Sequence, residues 1–265
     1  MNREEVLQIL KENRLLPESR FGQNFLCDED IISDIISCSG IKEGDKVLEI
    51  GPGIGALTRP LSVMDISLTV VEIDKRIVSY LETLGLDAEI ISSDYLKLLD
   101  YRPESYDIAI SNIPYYVTTP IIKKLIEELS SCRKMTFMVE EDALQRIMAE
   151  PKTKQYGPLA VIMNTFGRIK KEFTVPGSCF YPAPNTLSSV ITLEKANDVN
   201  VSSAFSDFVS LCFSQRRKKL LNNLSSHGKE AVLFALEKNG LSPDCRAEEL
   251  SFDLFLKLYN DIINS

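Results

Sequence analysis

The chain has 265 residues, of which 44% are hydrophobic, 26% charged and 8% aromatic, with 12 Gly and 12 Pro. That balance excludes collagen-like, mucin-like and wholly disordered chains, and the length suits one large domain, or one large and one small, able to bury a core without staples. Lys and Arg number 30 against 38 Asp and Glu, a net charge of −8, which argues against indiscriminate coating of nucleic acid but leaves local basic patches open.

In chain order, Val6, Leu7, Ile9 and Leu10 fall at helical spacing in a charged stretch that ends near Pro17. A polar-aromatic loop follows, Arg20-Phe21-Gly22-Gln23-Asn24-Phe25-Leu26, and then Asp28 is placed to cap a helix with Ile31, Ile32, Ile35 and Ile36 on one face. Beyond it, strand-like and helix-like segments alternate. Apolar runs at 46–50, 68–73, 88–91, 106–110 and 134–139 read as five strands, and Thr119-Pro120 opens one of the helices between them, at 121–129. Such alternation predicts a doubly wound α/β fold with a parallel sheet. The stretch 159–193 reads as two more strands, with Pro176, Pro182 and Pro184 breaking their connection. A polar linker at 196–203 precedes a purely helical pattern at 205–224, 230–238 and 251–263. The expected division is an α/β domain over 1–195 and a small helical domain over 196–265.

The six cysteines are scattered with no C-x-x-C pair, so neither a disulfide framework nor a zinc knuckle is expected. His227 is the only histidine, and no G-x-S-x-G stands elsewhere to partner it, which disfavours a hydrolase and a His-rich metal site. No apolar run approaches the roughly 20 residues of a membrane span, and the opening Met1-Asn2-Arg3-Glu4-Glu5 is too polar for a signal peptide. A soluble, cytoplasmic protein without metal is the expectation.

In a doubly wound sheet, ligands bind beyond the carboxyl ends of the strands. Those ends carry Gly51, Glu72, Asp94 and Asn112. Gly51-Pro52-Gly53-Ile54-Gly55 lets a backbone turn tightly and a ligand approach the main chain, although its third glycine comes one residue early for a dinucleotide fingerprint. Taken alone it is a weak signal, with a tight turn and no more as the lesser alternative. Glu72 is placed to accept both ribose hydroxyls of a nucleoside, and Asp94 to meet an adenine amino group; singly, each reads as a solvated acid. Together they describe a pocket for an adenosine-bearing cofactor with no pyrophosphate, which S-adenosylmethionine fits.

Asn112-Ile113-Pro114-Tyr115 closes the fourth strand. An adenine amino nitrogen is a poor nucleophile because its lone pair is delocalised into the ring. An Asn oxygen and a backbone carbonyl beside Pro114 can accept both amino hydrogens, while Tyr115 offers a face for the base. Positioning and carbonyl dipoles then carry the step without a strong general base.

Over nearly its whole length the chain resembles the KsgA-type rRNA adenine N6,N6-dimethyltransferases. The matching segments are Phe21-Gly22-Gln23-Asn24-Phe25-Leu26, Glu49-Ile50-Gly51-Pro52-Gly53-Ile54-Gly55-Ala56-Leu57-Thr58 and Asn112-Ile113-Pro114-Tyr115-Tyr116-Val117-Thr118-Thr119-Pro120. Further on come Phe180-Tyr181-Pro182-Ala183-Pro184, Phe213-Ser214-Gln215-Arg216-Arg217-Lys218 and Arg246-Ala247-Glu248-Glu249-Leu250. The resemblance implies a Rossmann-like class I S-adenosylmethionine-dependent methyltransferase sheet, mostly parallel with an antiparallel strand, plus a C-terminal helical domain. It implies cofactor contacts at Asn24, Leu26, Gly51, Gly53, Glu72, Asp94 and Asn112, and an adenine held between Tyr115 and Phe180. The implied substrate is a pair of adjacent adenosines in the 3′-terminal hairpin loop of small-subunit rRNA, in a late 30S assembly particle, acted on by a monomer. Two segments depart from the family: Glu140-Glu141-Asp142 replaces Gln-Lys-Glu, and Asn185-Thr186-Leu187-Ser188 replaces Lys-Val-Asp-Ser.

Two acid-free stretches favour contact with phosphates. The first, 151–171, holds Lys152, Lys154, Arg168, Lys170 and Lys171; the second, 208–229, holds Arg216, Arg217, Lys218, Lys219 and Lys229. Either could be a plain solvated face. The rivals to the leading reading are an Erm-type methyltransferase of large-subunit rRNA, a noncatalytic assembly protein on the same scaffold, and a small-molecule methyltransferase.

Overall fold

In the computed structural model, which describes residues 1–99, 101–196 and 201–263, the strands are β1 (Phe25–Leu26), β2 (Lys46–Ile50), β3 (Ser67–Glu72), β4 (Glu89–Ser92), β5 (Ile108–Asn112), β6 (Lys134–Glu140), β7 (Gly167–Val175), β8 (Phe180–Tyr181) and β9 (Ser188–Lys195). Seven form one sheet in the order β4-β3-β2-β5-β6-β9-β7, and β1 pairs with β8 apart from it. From β4 to β6 the pairings are parallel, and β9 returns antiparallel against β6. The apolar runs of β2, β3, β5 and β6 are buried almost end to end, as expected where helices cover both faces of a parallel sheet. Strand order runs outward one way from β2 and the other way from β5. That reversal opens a crevice beyond the carboxyl ends of these two neighbours.

Local signals set the helix ends. Asp28 caps the helix Glu29–Ser39 by accepting the Ile31 amide, and Gly40 ends it in the left-handed region. The expected N-terminal helix spans Arg3–Glu12 and opens on a capping box between Asn2 and Glu5.

The chain divides into two compact units, Met1–Leu144 with Ile169–Lys195, and Gln145–Arg168 with Ala196–Ser265. The expected boundary at 195 therefore needs correction for 145–168, which belongs with the helical unit. Residues 159–166 are not a strand but part of the helix Pro158–Phe166. A short apolar run does not distinguish strand from buried helix by periodicity. Here Pro158 at the first turn selects helix, and six of the nine residues are buried. It packs within its unit on the helices Ser203–Cys212 and Phe252–Ile263. The expected continuous helix 205–224 breaks after Cys212 and resumes only over Leu220–Asn223. Asn223 Nδ2 donates to the Cys212 carbonyl at 2.6 Å and to that of Gln215 at 3.3 Å, satisfying groups the break exposes. The helices Lys229–Lys238 and Phe252–Ile263 match expectation. Of the expected linker 196–203, residues 197–200 lie outside the described residues.

Candidate active site

The crevice at the β2/β5 reversal is lined by all seven expected cofactor residues, Asn24, Leu26, Gly51, Gly53, Glu72, Asp94 and Asn112, together with Pro114 and Tyr115. β2 is followed by Gly51 and Gly53, both at positive φ (+67° and +53°). A side chain at Gly53 would be strained by its backbone, and its Cβ would sit 3.2 Å from the Phe25 ring. The turn thus leaves a main-chain cradle that any Cβ would fill. Gly53 N–H donates to Glu72 Oε2 at 3.2 Å, and the Asp74 amide donates to Oε1 at 2.8 Å. Glu72 is 5% exposed. Burial pushes its carboxyl up to about 7, against the pull of those two amides. Asp94 accepts from the Leu96 amide at 3.0 Å and lies 3.6 Å from Lys97 Nζ.

The loop bearing Asn24 is tied down at several points. Gln23 accepts from the Glu18 amide at 2.8 Å and donates to Asp74 Oδ2 at 2.9 Å. Arg76 pairs with Glu18 at 2.8 Å and with Asp74 at 2.6 Å. β1 then pairs Leu26 with Phe180, which fixes the loop's far end.

Asn112 Nδ2 donates to the Asn24 carbonyl at 3.4 Å, so the donor end of the amide is engaged and Oδ1 is left to accept. The Pro114 carbonyl accepts the Val117 amide at 3.1 Å, closing the turn after β5. The Ile113 carbonyl takes no part in that turn, which makes it the better second acceptor. The Tyr115 hydroxyl meets Ser188 Oγ at 2.5 Å, and Ser188 is fully buried on β9. This contact pins the ring, and Ser188 had no signal in the sequence beyond its place in a family motif.

Phe180 departs from expectation. It is fully buried, in a cluster with Leu26, Val175, Cys179 and Val190, and presents no face to the crevice. The motif instead gives its prolines to a second pocket, walled by Pro182, Ala183, Pro184, Asn185 and Thr186 and sharing Gly22, Gln23, Asn24 and Tyr115 with the first. Phe180 pairs with Leu26 in β1 and β8, and its burial there is what a residue supporting the Asn24 loop requires.

Glu49 was not singled out from the sequence as a site residue. It lines the crevice, is 1% exposed, and its Oε2 has no hydrogen-bond partner. Burial pushes its carboxyl up to about 8, helped by Glu72 and opposed by Thr58. The available signal was a charge inside the otherwise apolar run Val47-Leu48-Glu49-Ile50.

Of the basic residues, Lys152, Lys154, Arg217, Lys218 and Lys219 are exposed in the helical unit. Lys219 pairs with Asp244 at 2.6 Å. Arg216 is differently employed. Its guanidinium donates to Glu248 at 2.7 Å, to the Lys154 carbonyl at 2.5 Å and to that of Thr153 at 2.8 Å. It therefore joins the two basic stretches to each other and to Glu248. Its side chain is a tether rather than a free phosphate ligand.

A doubly wound sheet with one antiparallel strand, a glycine cradle and two strand-end acids defines a class I S-adenosylmethionine-dependent methyltransferase. The buried Glu72, whose hydrogen-bond partners are backbone amides, fits the two ribose hydroxyls of that cofactor, and the cradle fits its approach to the main chain. The family model for ribosomal RNA adenine dimethylase matches residues 16–264. The chain belongs to that family. It is 35% identical, over 98% of its length and 96% of the relative's, to "Ribosomal RNA small subunit methyltransferase A" of Natranaerobius thermophilus. Among solved structures it resembles a dimethyladenosine transferase from Plasmodium falciparum, with a TM-score of 0.76 and 25% identity over 89% of this chain and 97% of that one. The 23S rRNA methyltransferase ErmE shares the fold, with a TM-score of 0.64 and 24% identity over 90% of this chain and 99% of that one. Among the described residues no helix is long and apolar enough to cross a membrane, and no cluster of His, Cys, Asp and Glu could hold a metal ion.

Proposed function

We propose that this protein dimethylates N6 of two adjacent adenosines in the 3′-terminal hairpin loop of small-subunit rRNA, acting as a monomer on a late 30S assembly particle in the cytoplasm. The observation that carries the reading is the meeting of Asn112 with the Gly51–Glu72 crevice and with the second pocket through Tyr115. S-adenosylmethionine, when bound, supplies an electrophilic methyl on a sulfonium. Glu72 accepts the ribose hydroxyls, Asp94 the adenine amino group, and the glycine turn admits the methionine end. A target base enters between Tyr115 and the proline wall. Asn112 Oδ1 and the Ile113 carbonyl would accept its amino hydrogens and so free the nitrogen lone pair to attack, with the donor's neutral thioether as leaving group, and the proton lost from nitrogen would pass to water. Lys152, Lys154, Arg217, Lys218 and Lys219 meet phosphates, with Arg216 holding their two segments together. The similarity to relatives named for the small subunit supports that substrate over the large-subunit one.

Asn112→Ala tests the reading. Methyl transfer should fall by about two to three orders of magnitude, the usual effect of losing one oriented polar group in an active site. Binding to small-subunit particles should stay close to that of the parent. Equal loss of both would make Asn112 structural, and activity confined to naked large-subunit RNA would overturn the substrate.

A further inference from the structure

The segment after Asp94 is held by two buried tyrosines and a half-buried Lys–Glu pair that the proposed reaction leaves unused. Tyr95 and Tyr101 are both buried, and their hydroxyls meet at 2.9 Å. Tyr101 donates to Glu128 Oε2 at 2.5 Å, and Glu128 Oε1 pairs with Lys124 Nζ at 2.9 Å. Lys124 Nζ donates in turn to the Leu98 carbonyl at 2.8 Å, with its ammonium 5.5 Å from the Tyr95 ring centroid and 5.9 Å from that of Tyr101. Tyr106 stacks on Tyr101 at 6.2 Å. The path closes on itself: from Tyr95 through Tyr101, Glu128 and Lys124 it returns to the backbone three residues beyond its start.

Tyrosine hydroxyls and half-buried ion pairs of this kind are weak contributors to stability, because apolar residues of the same volume often serve as well. What directional bonds add is a single geometry. Both ends of that geometry lie at the crevice. The helix Thr118–Glu128, which supplies Lys124 and Glu128, starts directly after the acceptor loop, and Thr118 Oγ1 donates to the Tyr115 carbonyl at 3.2 Å. At the other end, the turn Tyr95–Lys97 is capped by Asp94 itself. The helix thus spans, over about 16 Å at 1.5 Å per residue, from the acceptor loop to the clamp on the Asp94 turn.

We propose that Tyr101, Glu128 and Lys124 are positioning residues that hold the Asp94 turn in register with the Asn112–Tyr115 loop and so set affinity for the adenine end of the methyl donor. The inference rests on Asp94 as the acceptor for the adenine amino group. Tyr101→Phe breaks the path with little change of volume. It should weaken S-adenosylhomocysteine and 5′-methylthioadenosine in calorimetry by about tenfold, the worth of one hydrogen bond. KM for S-adenosylmethionine should rise by the same factor, with kcat at saturating cofactor within about twofold of the parent. Lys124→Met, which frees Leu98 and leaves the phenols in place, should do likewise. Glu128→Gln, whose amide cannot accept from both Tyr101 and Lys124, should weaken binding in the same direction, and parent-like binding would count against the path. With an S-adenosylhomocysteine analogue carrying hydrogen in place of the adenine amino group, the Tyr101→Phe penalty should vanish. Unchanged affinity in Tyr101→Phe, a penalty that persists with that analogue, or a fall in kcat alone would overturn the proposal. Asp94→Ala separates the two ideas: if it fails to weaken binding in the parent, the Asp94 assignment falls and the clamp's role falls with it.

Discussion

Replacing Glu49 by Gln removes an ionisable group from the lining of the crevice while keeping the side chain's shape. Burial and the neighbouring Glu72 push the Glu49 carboxyl from 4.5 up to about 8. An acid held above its unfolded pKa binds its proton more tightly in the folded state. Its effect is therefore absent below about pH 4.5, destabilises increasingly as pH rises, and levels off above about pH 8. At about 1.4 kcal/mol per pH unit, the whole interval comes to about 5 kcal/mol. The Gln variant has no such proton to lose. Its amide, beside a position where Oε2 already lacks a partner, adds a cost that does not depend on pH. Urea denaturation near pH 4.5, 6.5 and 8.5 measures the difference between the two proteins. Relative to the value near pH 4.5, the balance should move toward Gln by about 2 kcal/mol near pH 6.5 and about 4 kcal/mol near pH 8.5. A difference equal at all three would mean that Glu49 is ionised in the folded protein, and the argument from burial would fail.

Glu72, pushed up to about 7, should make cofactor affinity depend on pH with the opposite sense. S-adenosylhomocysteine binding should weaken by about tenfold per pH unit below about 7 and level above it. Calorimetry on the parent and on Glu72→Gln, whose weak binding should be flat with pH, checks this; a flat parent refutes it. In the helical unit, Arg216→Ala should cost about 2–4 kcal/mol in thermal or urea unfolding as its bonds to Glu248, Thr153 and Lys154 are lost. Arg217→Ala should leave unfolding unchanged and reduce the slope of log affinity for rRNA against log salt by about one. The reverse pattern would make Arg216 the phosphate ligand and Arg217 the tether.

Local sequence by itself determined the parallel sheet, because apolar runs such as Lys46–Ile50 are long enough to fill a strand buried on both faces. It also placed the glycines at 51 and 53 and the acids at 72 and 94 at successive strand ends, and it is their combination, not any one of them, that points to a ligand. What it left undecided depends on partners distant in the chain. The run Pro158–Phe166 is largely apolar, so its periodicity alone does not separate helix from strand, and Pro158 at the first turn together with the helices packed on it settles the matter. Arg216 and Arg217 are alike as residues, and only the meeting of Arg216 with Glu248 and the carbonyls of Thr153 and Lys154 makes one of them a tether. Phe180 carries the family's motif, yet its pairing with Leu26 and the cluster around it decide which way the ring faces. Glu49 reads as an ordinary acid until the sheet closes over it. Backbone geometry and apolar periodicity are local properties written residue by residue, whereas burial, ionisation and side-chain orientation come from contacts that exist only once the chain has folded.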